Sequence, residues 1–392
     1  MSEKNDNKVP NVPNLRFGSS EVWTQTTIGK IAQVVGGGTP ETDNLDYWNG
    51  NIQWFTPSEV GQTKYIEKSE RTISVDGLNK SSAKLLPVGT LLLSTRATVG
   101  ECSIALNECS TNQGFQSLIA SDKVNNEFLY YLIATKKRHF VKYACGSTFL
   151  EISNKEVAKT KIFVPQQRVQ EKIATFLSKI DQRIETQSKI IEDIETLRKW
   201  IINQQFASDA NCAIGAFIEQ TSERNKINSV DRVLSVSNKY GFINQSEQFE
   251  DREVASDDRT NYKIVRRNDF AFNPARINVG SIAKLDTYDI GIVSPMYICF
   301  KSNNKNLDAD YLSNFFLSNS FKNALNKRLE GSVRQCLQFD ALCDIKLFVP
   351  SLDVQISFVS KIKAITKKLT IEKDILTAYK KQKAYLLSNM FI

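Results

Sequence analysis

An internal repeat constrains this chain more than any other feature of its sequence. The tripeptide at 163–165, Phe-Val-Pro, returns at 348–350, an offset of 185 residues that then holds without a gap to the last residue. A chain of 392 residues also exceeds the roughly 250–300 residues at which a single core stops growing. We therefore predict two similar domains. The superimposed positions are Gln170 on Gln355, Leu177 on Ile362, Ile180 on Ile365, Ile184 on Leu369, Ile191 on Leu376, Trp200 on Tyr385, Ile201 on Leu386 and Phe206 on Phe391.

Both copies end in a heptad pattern, in which apolar residues alternate four and three positions apart over about 40 residues, as in long helices that pack on other helices. Two of the pattern's positions are polar in both copies, which fixes the register of pairing. We predict an antiparallel coiled coil within the chain, with pseudo-twofold symmetry. Packing of each helix on its own domain is the alternative. The predicted pairing positions are Ile173, Leu177, Ile180, Ile184, Ile191, Ile194, Ile201, Phe358, Ile362, Ile365, Leu369, Leu376, Tyr379 and Leu386.

Each globular half is predicted to be an α+β domain. The first half mixes strand-like runs, such as residues 116–120, with turns and a helical stretch near 127–143. The predicted layout is a polar N-terminal segment at 1–20, domain 1 at 21–165, a central spacer helix at 166–207, domain 2 at 208–350 and a C-terminal spacer helix at 351–392.

Charge and composition indicate a folded protein with a polyanionic partner. The net charge is +8, which suits nucleic acid, and the excess lies mainly at 351–392, where a solvated helix face is the alternative. Seven cysteines without a Cys-x-x-Cys pair predict reduced thiols. The one histidine, His139, lies in a basic run without a ligand set for a metal. No leader or apolar span is evident, so the cytoplasm is the expected location.

The sequence contains no recognisable active site. The loop at 36–40, Gly-Gly-Gly-Thr-Pro, lacks the Gly-Lys-Ser/Thr of a phosphate loop, so we interpret it as a flexible loop. Asn273-Pro274 is similar to the Asn-Pro-Pro-Tyr loop of amino-methyltransferases, but Ala275 and Arg276 replace its second proline and its aromatic ring. Nuclease carboxylate clusters and Ser/His/Asp sets are also missing from the sequence.

Two loops that follow predicted strands each contain an arginine beside small polar residues. They span residues 94–100, around Arg96, and residues 273–280, around Arg276. Arginine binds phosphate or pairs with guanine, and asparagine can pair with adenine in the major groove. These loops are candidates for DNA contact, and a structural turn arginine is the alternative at each.

Segments of both halves resemble the specificity subunits of Type I restriction-modification systems, the HsdS family. The segments are residues 27–31, 36–40, 56–60, 96–100 and 112–114 in the first half, and 234–237, 273–280, 293–295 and 349–351 in the second. The resemblance covers nearly the whole chain. The second half lacks a counterpart of the glycine loop at 36–40, so the two domains are expected to read different sequences.

This resemblance implies a non-catalytic subunit with two target-recognition domains joined by spacer helices. Its target would be bipartite double-stranded DNA, with one half-site for each domain and a gap set by the helices. Its partners would be two modification (methyltransferase) subunits and restriction (translocase and nuclease) subunits. S-adenosylmethionine, ATP and Mg²⁺ would then belong to those partners, and no cofactor or metal is expected in this chain.

Side chains of the matched segments and nearby loops are the candidate DNA contacts. A coiled-coil scaffold or protein-binding module without DNA specificity is the main alternative, and a stand-alone methyltransferase or nuclease is the third. The candidates are Thr39, Ser58, Lys64, Arg96, Thr98, Asn112, Gln113, Ser147, Ser237, Asn238, Lys239, Asn273, Arg276, Asn278, Ser294 and Arg334.

Overall fold

The computed structural model describes residues 11–17, 22–146, 150–245, 259–302, 306–329 and 336–392. They form two compact units, each with its own apolar core. Unit 1 comprises Met1–Gln187 and Ile375–Ile392, and unit 2 comprises Ser188–Asp374. Each unit therefore contains one globular domain, the start of the helix that follows that domain and the end of the other helix.

The described residues of unit 1 form three sheets and five short helices. A two-stranded sheet pairs β1 with β10, a five-stranded sheet has the order β2-β9-β6-β7-β4, and a three-stranded sheet has the order β5-β3-β8. The strands are β1 (Thr24–Thr27), β2 (Ala32–Gly36), β3 (Trp48–Phe55), β4 (Tyr65–Ile66), β5 (Arg71–Ile73), β6 (Leu91–Leu93), β7 (Cys102–Ala105), β8 (Cys109–Thr111), β9 (Gln116–Ala120) and β10 (Lys161–Val164), and the helices are α1 (Ile28–Ile31), α2 (Val75–Asn79), α3 (Asn126–Thr135), α4 (Lys137–Tyr143) and α5 (Asn154–Lys159).

The described residues of unit 2 contain four sheets. Its largest has the order β12-β19-β16-β17, and the pairs β11-β20, β13-β14 and β15-β18 form the others. The strands are β11 (Cys212–Ala213), β12 (Ile218–Thr221), β13 (Leu234–Ser237), β14 (Gly241–Asn244), β15 (Lys263–Arg266), β16 (Phe270–Phe272), β17 (Ile282–Lys284), β18 (Ile290–Val293), β19 (Ile298–Ser302) and β20 (Lys346–Leu347), and the helices are α7 (Ala309–Phe315), α8 (Asn319–Asn326) and α9 (Phe339–Cys343).

Two long helices, α6 (Gln167–Gln205) and α10 (Leu352–Met390), each contain 39 residues. Both begin shortly after the repeated Val-Pro, because proline cannot continue a helix but is tolerated before its first turn. All fourteen positions that the heptad pattern predicts for pairing are buried or half-buried. The α+β class and the two long helices are confirmed.

Contacts inside each unit show that α6 and α10 run antiparallel. In unit 1 the Nζ of Lys383 lies 2.6 Å from the Oδ1 of Asp181. In unit 2 the Nζ of Lys373 lies 2.7 Å from the Oε1 of Glu195. From Asp181 to Glu195 along α6, the paired residue of α10 changes from Lys383 back to Lys373. The two helices are therefore antiparallel, as predicted.

A buried glutamine anchors each long helix to its own domain through the same three bonds. In unit 1, Gln170 Nε2 donates to the carbonyls of Pro165 and Lys123, and its Oε1 accepts from the amide of Asn125. In unit 2, Gln355 makes the equivalent bonds to Pro350, Asn306 and Asp308. Asn125 caps α3 and Asp308 caps α7, so the glutamine fixes the helix that packs next to it.

An aromatic residue at the end of each long helix closes the core of the unit that contains it. Phe391 packs against Trp23 and Phe128 in unit 1, with ring centroids 6.2 and 5.6 Å away. Phe206, its counterpart in the repeat, packs in unit 2 against Tyr311 at 4.9 Å and Phe358 at 5.8 Å. The core of each unit is therefore completed by the C-terminal end of the long helix that follows the other domain.

Within the described ranges, no helix is long and apolar enough to span a membrane.

Candidate nucleic-acid interface

Four segments of unit 1 that are distant in sequence meet at one place, which we call loop cluster 1 (residues 36–41, 56–60, 96–100 and 111–114). The Gly38 amide donates to the Thr111 carbonyl at 2.8 Å, and Thr39 Oγ1 donates to Gln113 Oε1 at 2.5 Å. Thr98 Oγ1 donates to the carbonyl of Pro57 at 3.0 Å. The four segments of domain 1 that carry the family resemblance between residues 36 and 114 thus form a single surface.

The glycine loop of this cluster is held by close packing. A Cβ on Gly37 would lie 2.0 Å from the Asn112 carbonyl oxygen, and one on Gly38 would lie 2.3 Å from the Ala83 nitrogen. The indole N–H groups of Trp54 and Trp48 donate to the carbonyls of Gly38 and Glu41. Our interpretation of a merely flexible loop was therefore wrong, because these glycines are needed for close approach to the neighbouring backbone.

The turn at 56–59 is fixed by one carboxylate. Glu59 Oε2 accepts from both the amide and the Oγ1 of Thr56, each at 2.6 Å, while its Oε1 accepts from the Glu70 amide at 2.7 Å. This capping box satisfies donors that the short helical turn leaves open. Ser58 stays on the surface of that turn, where its Oγ lies 3.1 Å from Thr56 Oγ1.

Arg96 is held in an ion pair. Its Nε and Nη2 donate to Glu151 Oε2 at 3.0 and 2.5 Å, and both side chains are more than a third exposed. The loop turns sharply here, since Ala97 and Gly100 adopt positive φ angles of 62° and 87°. An exposed pair of this kind contributes only about 0–1 kcal/mol, so a DNA phosphate can compete for Arg96.

Lys64 has a different environment from the one predicted for a DNA contact. Its side chain is only 8% exposed, and its Nζ bonds Glu127, Tyr131 and Ser178 at 2.9, 3.2 and 2.9 Å. Lys64 directly precedes β4, so these bonds connect the five-stranded sheet of unit 1 to α3 and α6. Because moving this buried ammonium to DNA would break its ion pair with Glu127 and two further hydrogen bonds, the structure disfavours that role.

The other candidates of the first half vary in exposure. Thr98 and Gln113 are exposed on loop cluster 1, whereas Asn112 is half-buried and accepts the Gly114 amide at 2.8 Å. Ser147 lies outside the described residues.

Unit 2 assembles an equivalent surface from different residues, which we call loop cluster 2 (residues 237–241, 273–280 and 294–296). Ser237 Oγ accepts from the amides of Lys239 and Tyr240, which shapes the turn between β13 and β14. Asn273 Nδ2 lies 3.6 Å from Met296 Sδ, and a Cβ on Gly280 would lie 3.5 Å from Asn238 Cβ. The three predicted segments of domain 2 are thereby brought together.

Most candidates of loop cluster 2 are exposed. Asn238, Lys239, Arg276 and Asn278 are exposed, and Ser294 is half-buried. Within the described part of the chain, the Arg276 guanidinium makes no hydrogen bond or ion pair. Arg334 lies outside the described residues.

Asn273 has a structural role. It is only 8% exposed, and its Oδ1 accepts the Ala275 amide at 3.1 Å. This bond shapes the loop that carries Arg276. The structure therefore disfavours the predicted base contact by Asn273.

The sequence reasoning missed Tyr240, at the tip of the same turn. Its ring is 67% exposed, and the Lys239 Nζ lies 4.9 Å from the ring centroid. Hydrogen bonding between the two side chains lowers the pKa of Tyr240 and raises that of Lys239. The turn borders a cleft of about 590 Å³ between loop cluster 2, α7 and α8. An aromatic residue in the turn that follows a short strand was the available signal.

Comparison with known proteins agrees with this arrangement. The family model for the Type I restriction modification DNA specificity domain matches residues 20–196. Residues 20–196 are therefore similar to that family. The match covers loop cluster 1 and most of α6. Within the described residues, no group of three or more His, Cys, Asp or Glu side chains that could hold a metal is found.

A curated relative of this chain is the Type I restriction enzyme MjaIX specificity subunit of Methanocaldococcus jannaschii. It is 38% identical over 190 residues, which are 46% of this chain and 44% of the relative. The chain spans less than half the length of the curated relatives that it matches.

Solved structures share the fold along nearly the whole chain. The Type I restriction-modification S subunit from M. genitalium has a TM-score of 0.56 at 15% identity, with 97% of this chain and 99% of that chain covered. A second structure, described in terms of complex assembly and conformational transition of the Type I system, has a TM-score of 0.61 at 13% identity over 94% of this chain and 97% of that chain. At these identities the likeness establishes the fold.

Proposed function

We propose that this chain is the DNA sequence-specificity subunit of a Type I restriction-modification complex and that it reads a bipartite double-stranded target. Loop cluster 1 contacts one half-site and loop cluster 2 the other. The observation that carries this proposal is the presence of two loop clusters, on two domains of one repeat, in a chain whose first half matches the DNA specificity domain.

The different composition of the two clusters supports two different half-site sequences. Loop cluster 1 presents threonines and Gln113 beside a paired arginine, whereas loop cluster 2 presents asparagines, Lys239 and Arg276. Base edges are distinguished by such donors and acceptors, while phosphate contacts only position the protein. Specificity would then be the sum over two half-sites, with each wrong base pair costing about 1–3 kcal/mol.

The long helices are proposed to set the unread gap between the half-sites. Each has 39 residues, which corresponds to about 58 Å at the α-helical rise. One turn of B-DNA is about 34 Å, so helices of this length suit half-sites more than one turn apart. Inserting one heptad at matching places in both helices should lengthen the tolerated gap without changing the bases that are read.

The proposed partners are two modification subunits, together with restriction subunits. Trp200 and Tyr385 are repeat-equivalent positions on α6 and α10, and their side chains are 58% and 60% exposed. Two equivalent exposed aromatic sites fit two copies of one partner, since aromatic residues are enriched at protein interfaces. We propose that S-adenosylmethionine, ATP and Mg²⁺ serve those partners and that this chain is non-catalytic.

Binding to DNA tests the proposal directly. The full chain is incubated with a randomised duplex pool, and the retained sequences are read. We expect two short conserved blocks separated by a fixed gap, with an affinity that falls steeply as salt rises, because bound phosphates release counterions. Retention of no sequence, with salt-independent or absent binding, would instead indicate a coiled-coil scaffold.

A further inference from the structure

An exposed arginine of domain 1, Arg71, is stacked on a tryptophan beside loop cluster 1. Arg71 begins β5, and its guanidinium carbon lies 3.6 Å from the centroid of the Trp48 ring and 5.6 Å from that of Trp54. The two indole rings pack edge to face at 5.1 Å, and both are buried. The guanidinium is therefore held against a rigid aromatic surface.

Stacking leaves the hydrogen-bonding edge of this guanidinium available. A stacked arginine uses its face for the ring, whereas its five N–H groups point outward in the plane. In the described ranges, the Arg71 side chain forms no hydrogen bond or ion pair. This contrasts with Arg96, whose guanidinium donates to Glu151.

The residues around Arg71 are hydrogen-bonded to loop cluster 1. Trp48, on which it stacks, donates its indole N–H to the carbonyl of Glu41 at 3.1 Å, and Trp54 donates to the carbonyl of Gly38 at 2.9 Å. Glu70, the preceding residue, donates its amide to Glu59. Arg71 is thus flanked by the loop at 36–41 and the turn at 56–59.

We infer that Arg71 is a DNA-binding residue that donates to a phosphate of the half-site read by domain 1, with Trp48 as its positioning residue. This inference rests on the proposed function and extends it to a residue outside the segments that carry the family resemblance. Because the guanidinium is fixed before binding, little side-chain entropy is lost when the contact forms.

The test compares Arg71→Met and Arg71→Lys in the full chain, on duplex DNA that the unaltered chain selects from a randomised pool. Arg71→Met should weaken binding about tenfold, as expected for a charge-assisted hydrogen bond. It should also reduce the salt slope by about 1, equally for selected and unselected duplexes. Arg71→Lys keeps the charge and should retain most of the salt slope. Lys161→Met, at an exposed position of β10, is the matched control.

Two results would overturn the inference while leaving the proposed function intact. If Arg71→Met lowers the unfolding temperature but leaves the affinity and salt slope of the folded protein unchanged, Arg71 only covers the tryptophans. If both variants relax the choice at a single base pair without a change of salt slope, the residue reads a guanine and not a phosphate. If the unaltered chain itself binds no DNA, the proposed function fails first.

Discussion

The two domains share a framework but differ in how they hold the arginine of the loop that each presents. In domain 1, Arg96 is bound to Glu151, whereas in domain 2 Cys336 occupies the repeat position of Glu151, and Arg276 makes no ion pair within the described residues. The anchors behind the loops are alike, since Gln170 and Gln355 make the same three bonds. The two halves of the repeat therefore share this buried anchor and differ in the partner of the exposed arginine.

The domains also resemble each other in one buried charge. Lys64 in unit 1 pairs with Glu127 at 2.9 Å, and Lys284 in unit 2 pairs with Asp310 at 2.6 Å; each acid lies in the first turn of a helix. Both lysine side chains are under a tenth exposed. Both domains therefore contain a buried lysine that pairs with an acidic residue in the first turn of a helix.

The largest expected effect tests whether the two helix ends are equivalent. Phe391→Ala should destabilise unit 1, and Phe206→Ala should destabilise unit 2, each by about 3–5 kcal/mol, because each removes a buried ring. Hydrogen exchange of β6 and β16 reports the two units separately. Trp200→Ala and Tyr385→Ala, at exposed equivalent positions, should change stability by at most about 0.5 kcal/mol. Equal loss of protection in both units would contradict the division.

The second effect concerns the glutamine anchors. Gln170→Leu and Gln355→Leu should each cost about 2–3 kcal/mol, since each leaves two carbonyls and one amide without their partner. Chemical unfolding followed by hydrogen exchange measures the loss. The control is Gln182→Leu, at an exposed position of α6. If only one of the two variants lost stability, the two glutamines would not contribute equally despite their equivalent hydrogen bonds.

The third effect separates the two half-sites. Arg276→Ala should weaken binding by about 1–3 kcal/mol, because it removes a local contact to the half-site of domain 2. The loss is expected only for duplexes in which that half-site is intact. Competition between duplexes with one intact half-site gives the answer. Equal weakening at both half-sites, or loss of folding, would reject a direct contact by Arg276.

The smallest effect is a gain in binding. Glu151→Gln removes the charge that competes for Arg96, so the half-site of domain 1 should bind more tightly by less than about 1 kcal/mol, the usual size of an exposed ion pair. The measurement is affinity at two salt concentrations. A weaker complex would mean that Glu151 positions Arg96 for DNA instead of restraining it.

Several candidate residues could be placed from the sequence, and others could not. Arg276 and Lys239 were correctly expected in exposed loops, because turn residues and strand patterns are local signals. The burial of Lys64 was missed, since its partners Glu127 and Ser178 are 63 and 114 residues away. Arg71 was missed for a similar reason, because its stacking on Trp48 depends on the pairing of β3 with β5.

The repeat, the two long helices and the positions at which they pair could all be predicted from the sequence, because heptad spacing is a local pattern. Which polar side chains face outward depends instead on the folded structure. It bound Arg96 to Glu151, left Arg276 exposed and packed Gly37 against the Asn112 carbonyl. These outcomes depend on contacts between distant segments, and hydrogen bonding and close packing are settled only when those segments meet.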